Sequence, residues 1–249
     1  MTEFKHNFFD EVYTLGRVNS TVSRSLKMIK QAEANGNFLL IAEQQASGQG
    51  RNNQSWYSPD GGIYMSANLY GLIVESSLTL FMGICIHKAL LESFPYLDKE
   101  LQIKWPNDIY LDNLKLGGIL AVHQPRHRYH SIGIGINTNI DEFPPELQEI
   151  ATSLLCCLHF QIDNQKVIEK IFDRFMLDFP DYIENGLDQQ YYNKYSLLAG
   201  KEIVLDSGFE HYQGICKGIN KNGAILLQLP SKMIQPFYSG SIISWKAKQ

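Results

Sequence analysis

The sequence predicts an α+β protein: a mixed, largely antiparallel sheet packed with helices, then a small β-barrel. Three observations lead there. Strand-like runs group together and helical runs group separately, rather than alternating as in a doubly wound sheet. From Gly200 onward the texture changes to short strands separated by turns at regular spacing, which suits a barrel of about 50 residues. Hydrophobic residues make up 44% of the 249 and charged residues 19%, ordinary for a chain with a sizeable core. The expected division is a large domain over residues 1–198 and a small one over 199–249.

The elements follow in order. Phe9 to Leu15 reads as a first strand. "NSTVSRSLKMIKQAEANG" reads as a helix, capped by Ser20 or Thr21 and ended by Gly36. "NFLLIAEQQ" is a short apolar run, hence a buried strand. "GGIYMSANLYG" alternates as a half-buried strand, and residues 76–94 form a long apolar helix. In "LQIKWPNDIYLDNLKLGGILAVHQ", Pro106 and Asn107 interrupt the strands, and Asp112 and Asn113 make a hairpin turn. "RYHSIGIGINTNI" is another strand. Helices are expected over 144–157, 164–185 and 187–198. The C-terminal strands lie in "KEIVLDSG", "EHYQGICKGIN", "GAILLQLP" and "KMIQPFYSGSIISW".

Composition narrows the function. The net charge of −4 and the lack of a basic stripe argue against nucleic-acid binding. The four cysteines form no C-x-x-C pair and read as free thiols in a reducing compartment. The start, MTEFKHNFFDEVY, has no apolar signal core, and no apolar run reaches the roughly 18 residues of a membrane span. A cytoplasmic location is expected.

Four stretches could carry chemistry. In "SGQGRNNQSW", Gly48 and Gly50 permit close backbone approach, and Arg51 offers a permanently charged fork for a phosphate or carboxylate. This loop reads either as a ligand cover or as a surface loop pinned by Trp56. In "KWPNDI", Lys104 lies in an apolar strand and needs an anionic partner, while Pro106 turns Asn107 and Asp108 out of the ladder. "KLGGIL" places Lys115 before Gly117 and Gly118, which weaken a strand and mark a close approach. "GIGINTN" has G-x-G spacing but lies inside a strand, so it fails as a dinucleotide fingerprint. Two lysines, one arginine and strand glycines suit a phosphate-bearing ligand. His123, His127 and His130 have metal-like spacing, but the intervening arginines favour a basic hairpin tip.

The ordered set "NST", "AEQQASGQGRNNQSW", "KWPNDIYLDNLKLGGIL" and "GIGINTN", followed by a small barrel, resembles biotin–protein ligase over residues 10–246. The resemblance implies a class II synthetase/biotin-ligase-like catalytic domain and an SH3-like barrel. It implies activation of biotin by ATP, with Mg²⁺ present, to biotinyl-5′-AMP. A lysine of a biotin carboxyl carrier protein then takes the biotinyl group. Ser20, Thr21, Val22, Gln45, Gln49, Gly50, Arg51 and Lys104 would bind biotin, with Lys104 and Arg51 at the reacting centre. Trp56, Asn107, Asp108, Lys115, Gly117, Gly118 and Asn137 would line the nucleotide side. Mg²⁺ ligands are not assigned. The chain is similar to short monofunctional members. The winged helix of repressor-type members would need about 60 more residues, so no DNA or membrane partner is expected. A homodimer is among the assemblies the family allows.

The chain departs from the family at several points. S-T-N becomes Ser20-Thr21-Val22, and the loop G-R-G-R-x-G-R-x-W has Gln49, Asn53 and Gln54 in place of an arginine, a glycine and an arginine. Losing one charge-assisted contact costs about 1.5–3 kcal/mol, so weaker retention of the adenylate is expected. Two other readings compete. One is a lipoate or octanoate ligase or transferase of the same fold, which would lack K-W-P-N-D-I. The other is a non-catalytic biotin-binding paralogue.

Overall fold

The computed structural model describes residues 4–72 and 77–246. The elements are β1 (Glu11–Val18), α1 (Thr21–Lys30), β2 (Phe38–Gln45), β3 (Gly48–Gln49), β4 (Ser55–Trp56), β5 (Ile63–Tyr70), α2 (Leu78–Ser93), β6 (Leu101–Lys104), β7 (Asp108–Leu111), β8 (Leu114–Gln124), β9 (Tyr129–Ile136), α3 (Leu154–Leu158), α4 (Asn164–Asn185) and α5 (Gln189–Tyr195). The C-terminal strands are β10 (Glu202–Asp206), β11 (His211–Ile219), β12 (Ile225–Gln228), β13 (Ile234–Phe237) and β14 (Ser241–Lys246). The chain divides into two compact units: Met1–Ile73 with Leu114–Met176, and Val74–Asn113 with Leu177–Gln249.

The first unit is built on strands in the order β1-β2-β5-β9-β8. β1 runs parallel to β2, and the other neighbours are antiparallel, so the sheet is mixed as expected. β9 is buried throughout and β5 up to Leu69, so β5 is covered on both faces rather than half-buried as expected, its polar Ser66 and Asn68 included. Helix α1 packs on β2, β5 and β9. Beneath it, the Asn68 amide donates to Ser25 Oγ (3.1 Å) and to the Phe38 carbonyl (3.3 Å), while Ser131 Oγ donates to Asn68 Oδ1 (2.7 Å). One buried amide thus ties α1, β2, β5 and β9 together, and its polar atoms are satisfied there.

Two helices differ from expectation. α1 stops at Lys30, not at Gly36. Ala32 takes a left-handed φ of 51°, and the bonds Glu33 N to Met28 O and Ala32 N to Ile29 O close the helix end in the Schellman pattern. The helix expected over 144–157 shrinks to Leu154–Leu158. The backbone before it pairs elsewhere: Lys115 N donates to Ile150 O (2.9 Å), and Thr152 N donates to Lys115 O (3.0 Å). The helix expected over 76–94 is α2; residue 76 lies outside the described residues.

The second unit holds α2, the β6–β7 hairpin, α5 and an antiparallel sheet in the order β13-β12-β11-β10-β14. The expected barrel is an open sheet: β14 pairs with β10, and no ladder joins β13 to β14 among the described residues. Phe81 of α2 stacks on Tyr182 at 4.2 Å and 7°. His87 is buried, with Nε2 2.9 Å from the Leu101 carbonyl and Nδ1 2.8 Å from Tyr191 Oη. Facing a carbonyl, Nε2 must carry the proton, so Nδ1 accepts from the tyrosine. Burial pushes the His87 pKa down to about 4. Among the described residues no helix is long and apolar enough to cross a membrane.

Candidate active site

In the first unit, Ser20 caps α1 in extended geometry and its side chain accepts from Ser23 N. Ser20 and Thr21 are both buried. Gln45, at the end of β2, lies directly against this helix start. Its Oε1 accepts from Thr21 N (2.8 Å) and Thr21 Oγ1 (3.1 Å). Its Nε2 donates to Ser58 Oγ (2.9 Å), which donates onward to the Trp56 carbonyl (3.0 Å). Both ends of the Gln45 amide are therefore used to join α1, β2 and the loop that follows. Ser58 was not visible as a site residue in the sequence; its position two residues after Trp56 is the only cue.

The loop itself is a small hairpin. β3 pairs with β4 through Gly48↔Trp56 and Gln49↔Ser55. Gly50 N donates to Gln54 O (2.7 Å), and a 3₁₀ turn spans Arg51–Asn53. Asn52 and Asn53 take left-handed φ values of 52° and 58°, which asparagine tolerates better than most residues. Gly48 is required by closeness: a Cβ there would fall 2.5 Å from the Trp56 carbonyl oxygen. Gln49 is exposed and Arg51 half-exposed at the hairpin tip. A cavity of about 550 Å³ runs along the hairpin, lined by Arg17, Gln45, Gly48, Ser55 and Trp56 among others. That volume is in the small-molecule range, yet Ser20, Thr21 and Val22 are not among its walls.

Trp56 folds back onto the sheet. A Cβ on Gly135 would lie 2.4 Å from Trp56 Nε1, so the indole rests on bare strand backbone. The Lys115 ammonium sits 5.3 Å over the same ring. Gly118 pairs with Gly135, which leaves that cross-strand pair without side chains, while Gly117 pairs with Ile136. Val22, where the resemblance expects a polar residue, is buried; a Cβ on Gly133 would meet its Cγ2 at 2.4 Å. Asn137 is buried, and its Nδ2 donates to the Thr152 carbonyl (3.0 Å), fixing the segment that also pairs with Lys115.

In the second unit, Lys104 ends β6 and pairs with Asp108 of β7 across the turn that holds Asn107 and the cis Trp105–Pro106 bond. Trp105 is buried and its Nε1 donates to the Gly223 carbonyl (3.0 Å), rooting this turn. The Lys104 ammonium lies 4.4 Å from the Trp245 ring centroid, 5.2 Å from that of Tyr110 and 3.4 Å from Tyr110 Oη. Burial, then the Asp108 charge, raises the Tyr110 pKa, so the phenol stays protonated. Tyr110 and Trp245 were not legible as site residues. Tyr110 is two residues from Asp108 on the same strand, but Trp245 is far along the chain.

No group of three or more His, Cys, Asp or Glu able to hold a metal occurs among the described residues. The His123 and His130 rings stack at 4.2 Å and 3° on paired strands, beside a 3₁₀ turn over Pro125–His127.

The model of the biotin/lipoate A/B protein ligase family matches residues 15–139. The bifunctional ligase/repressor BirA of Bacillus subtilis (strain 168) is 30% identical over 236 residues, which is 90% of this chain and 71% of the relative. The biotin–[acetyl-CoA-carboxylase] ligase of Paracoccus denitrificans is 25% identical over 230 residues, covering 87% of this chain and 94% of the relative. The solved structure of biotin protein ligase from Aquifex aeolicus, in complex with biotin and ATP, is similar with a TM-score of 0.83. Its identity is 27%, and the match covers 96% of this chain and 100% of that one.

Proposed function

The chain belongs to the biotin/lipoate A/B protein ligase family, and from that premise we propose that it is a biotin–protein ligase. It activates biotin with ATP and passes the biotinyl group to a lysine of a biotin carboxyl carrier protein domain. The observation that carries this reading is the likeness, over nearly the whole chain, to a ligase whose solved structure holds biotin and ATP.

In the first step a biotin carboxylate oxygen attacks the α-phosphorus, the bond to the β-phosphate bridging oxygen breaks, and pyrophosphate leaves. Two anions must meet, so a fixed cation lowers the barrier by stabilising charge at the entering and equatorial oxygens. We assign that role to Lys104, a compact point charge at the end of a short strand. In the second step the carrier amine attacks the acyl carbon, AMP leaves and the amine loses a proton. The mixed anhydride must be kept from water until then. We assign this to the 48–56 hairpin and Arg51, whose fork suits the adenylate phosphate. Thr21 and Ser20 lie on the biotin side, and Lys115, Trp56 and the bare strand at Gly117 and Gly118 on the nucleotide side. Gln45 and Asn137 act mainly by holding these walls, since their amides are engaged within the protein.

Mg²⁺ enters this proposal with the phosphates of ATP. It commonly keeps several waters and takes only one or two carboxylates plus substrate phosphates, which fits described residues that hold no cluster of ligating side chains. When bound, it offsets phosphate charge. Residues 1–198 are proposed as the catalytic part and 199–249 as its brace. Cysteines 85, 156, 157 and 216 are all free, which fits a cytoplasmic setting.

The test is ATP–pyrophosphate exchange with purified protein, driven by biotin, lipoate or octanoate in turn, followed by transfer to a carrier domain. Exchange with biotin alone is expected. Exchange with lipoate or octanoate alone would replace the substrate, and no exchange with any acid from folded protein would remove the activity.

A further inference from the structure

We propose that Trp245 of β14 is a positioning residue that, with Tyr110, fixes the ammonium of Lys104 for adenylate formation. The inference rests on the role assigned to Lys104 above. A lysine side chain has a flexible four-carbon stem, so an ammonium that must meet two substrate anions needs something to hold it. Here two aromatic rings do so. Trp245 and Tyr110 stand at 90° with centroids 6.2 Å apart, and Lys104 Nζ lies over both faces, at 4.4 and 5.2 Å. The closer ring is the tryptophan, the strongest cation–π partner. A ring face attracts an ammonium without cancelling its charge.

The support is rigid. Trp245 pairs with Ile203 in the β10–β14 ladder, and Ile203 is buried. The ring is not simply part of the core. Trp245 is half-exposed, and its neighbours Ser244 and Lys246 are exposed. Its removal should therefore disturb the lysine more than the fold.

The experiment compares full-length Trp245→Phe, Trp245→Leu and Lys104→Ala in biotin-dependent ATP–pyrophosphate exchange, reading kcat and KM separately, with thermal melting as the fold control. Trp245→Leu keeps an apolar side chain but no ring face. Its kcat is expected to fall about 3- to 30-fold, the range of one cation–π contact, with KM values changed much less. Trp245→Phe should keep most of the rate. Equal losses in Phe and Leu would mean apolar packing alone and would overturn the proposal, as would a wild-type kcat in Trp245→Leu. If Leu unfolds the protein, Trp245→Met takes its place as the ring-less variant; unfolding of both would make the residue structural. An inactive Lys104→Ala beside a fully active Trp245→Leu would refute the positioning role alone. Normal exchange by Lys104→Ala would instead refute the role of the lysine, and this inference with it.

Discussion

Replacing Gly135 by alanine tests whether the seat of Trp56 controls retention of the activated intermediate. The added Cβ would lie 2.4 Å from Nε1, 2.6 Å from Cε2 and 3.0 Å from Cζ2 of the indole. Ordinary contacts begin near 3.5 Å, so one partner must retreat by about 1 Å. Gly135 is held on both sides, paired with Tyr64 of β5 and Gly118 of β8. Trp56 sits on a two-residue strand in a two-stranded ladder. The tryptophan should yield, carrying the hairpin with it. Overpacking of this kind costs about 1–3 kcal/mol, about 5- to 150-fold in the population of the seated hairpin. The assay is the dissociation rate of preformed biotinyl-adenylate, followed beside tryptophan emission and thermal melting. Faster release by a factor in that range is expected, with a changed emission and a modest loss in Tm. If Tm falls while release stays at the wild-type rate, the seated tryptophan does not govern retention and the reasoning fails.

Three further outcomes follow. Lys104→Ala should lose pyrophosphate exchange while its circular dichroism and Tm stay near wild type; substantial turnover would remove the lysine from the mechanism. Arg51→Ala should still form adenylate but release it about tenfold or more faster, the scale of one charge-assisted contact; an unchanged release rate would count against the covering role. His87 gives a pH dependence. Its folded pKa, about 4, lies below the ordinary 6.5, so the unfolded chain binds the extra proton first. Stability is fully present above pH 6.5 and declines as pH falls toward 4, by about 3 kcal/mol in total at 1.36 kcal/mol per unit. Urea midpoints of wild type and His87→Gln between pH 7 and 4.5 check this; parallel slopes would clear the histidine.

Much of the first unit could be read directly from the sequence. The apolar start of β2 marks a buried strand, and the Ser20 cap follows from residue chemistry alone. The end of α1 could not be read, because Ala32 rather than glycine takes the left-handed position. The stretch before Leu154 looked helical because nothing local shows that Lys115 claims its backbone. The candidate cations were legible, since arginine in a glycine loop and lysine in an apolar strand are uncommon. Their supports were not. Trp245 and Tyr110 around Lys104, and Gly135 under Trp56, are long-range contacts that no local pattern encodes.

The Gln45 amide has a consequence for anyone seeking to alter substrate choice. Its carbonyl holds the start of α1, and its nitrogen reaches the hairpin through Ser58. Residues that share one partner do not act additively. On the biotin-side role proposed for Thr21, a substitution there that removes Oγ1 to admit an analogue would leave the Gln45 carbonyl held by the Thr21 backbone N–H alone, and so loosen the amide that reaches Ser58. Selectivity for the acid and lifetime of its adenylate would change together. Variants chosen for a new acid should accordingly be screened for hydrolysis of the intermediate in the same round, with compensating changes sought at Ser58 rather than in the acid pocket.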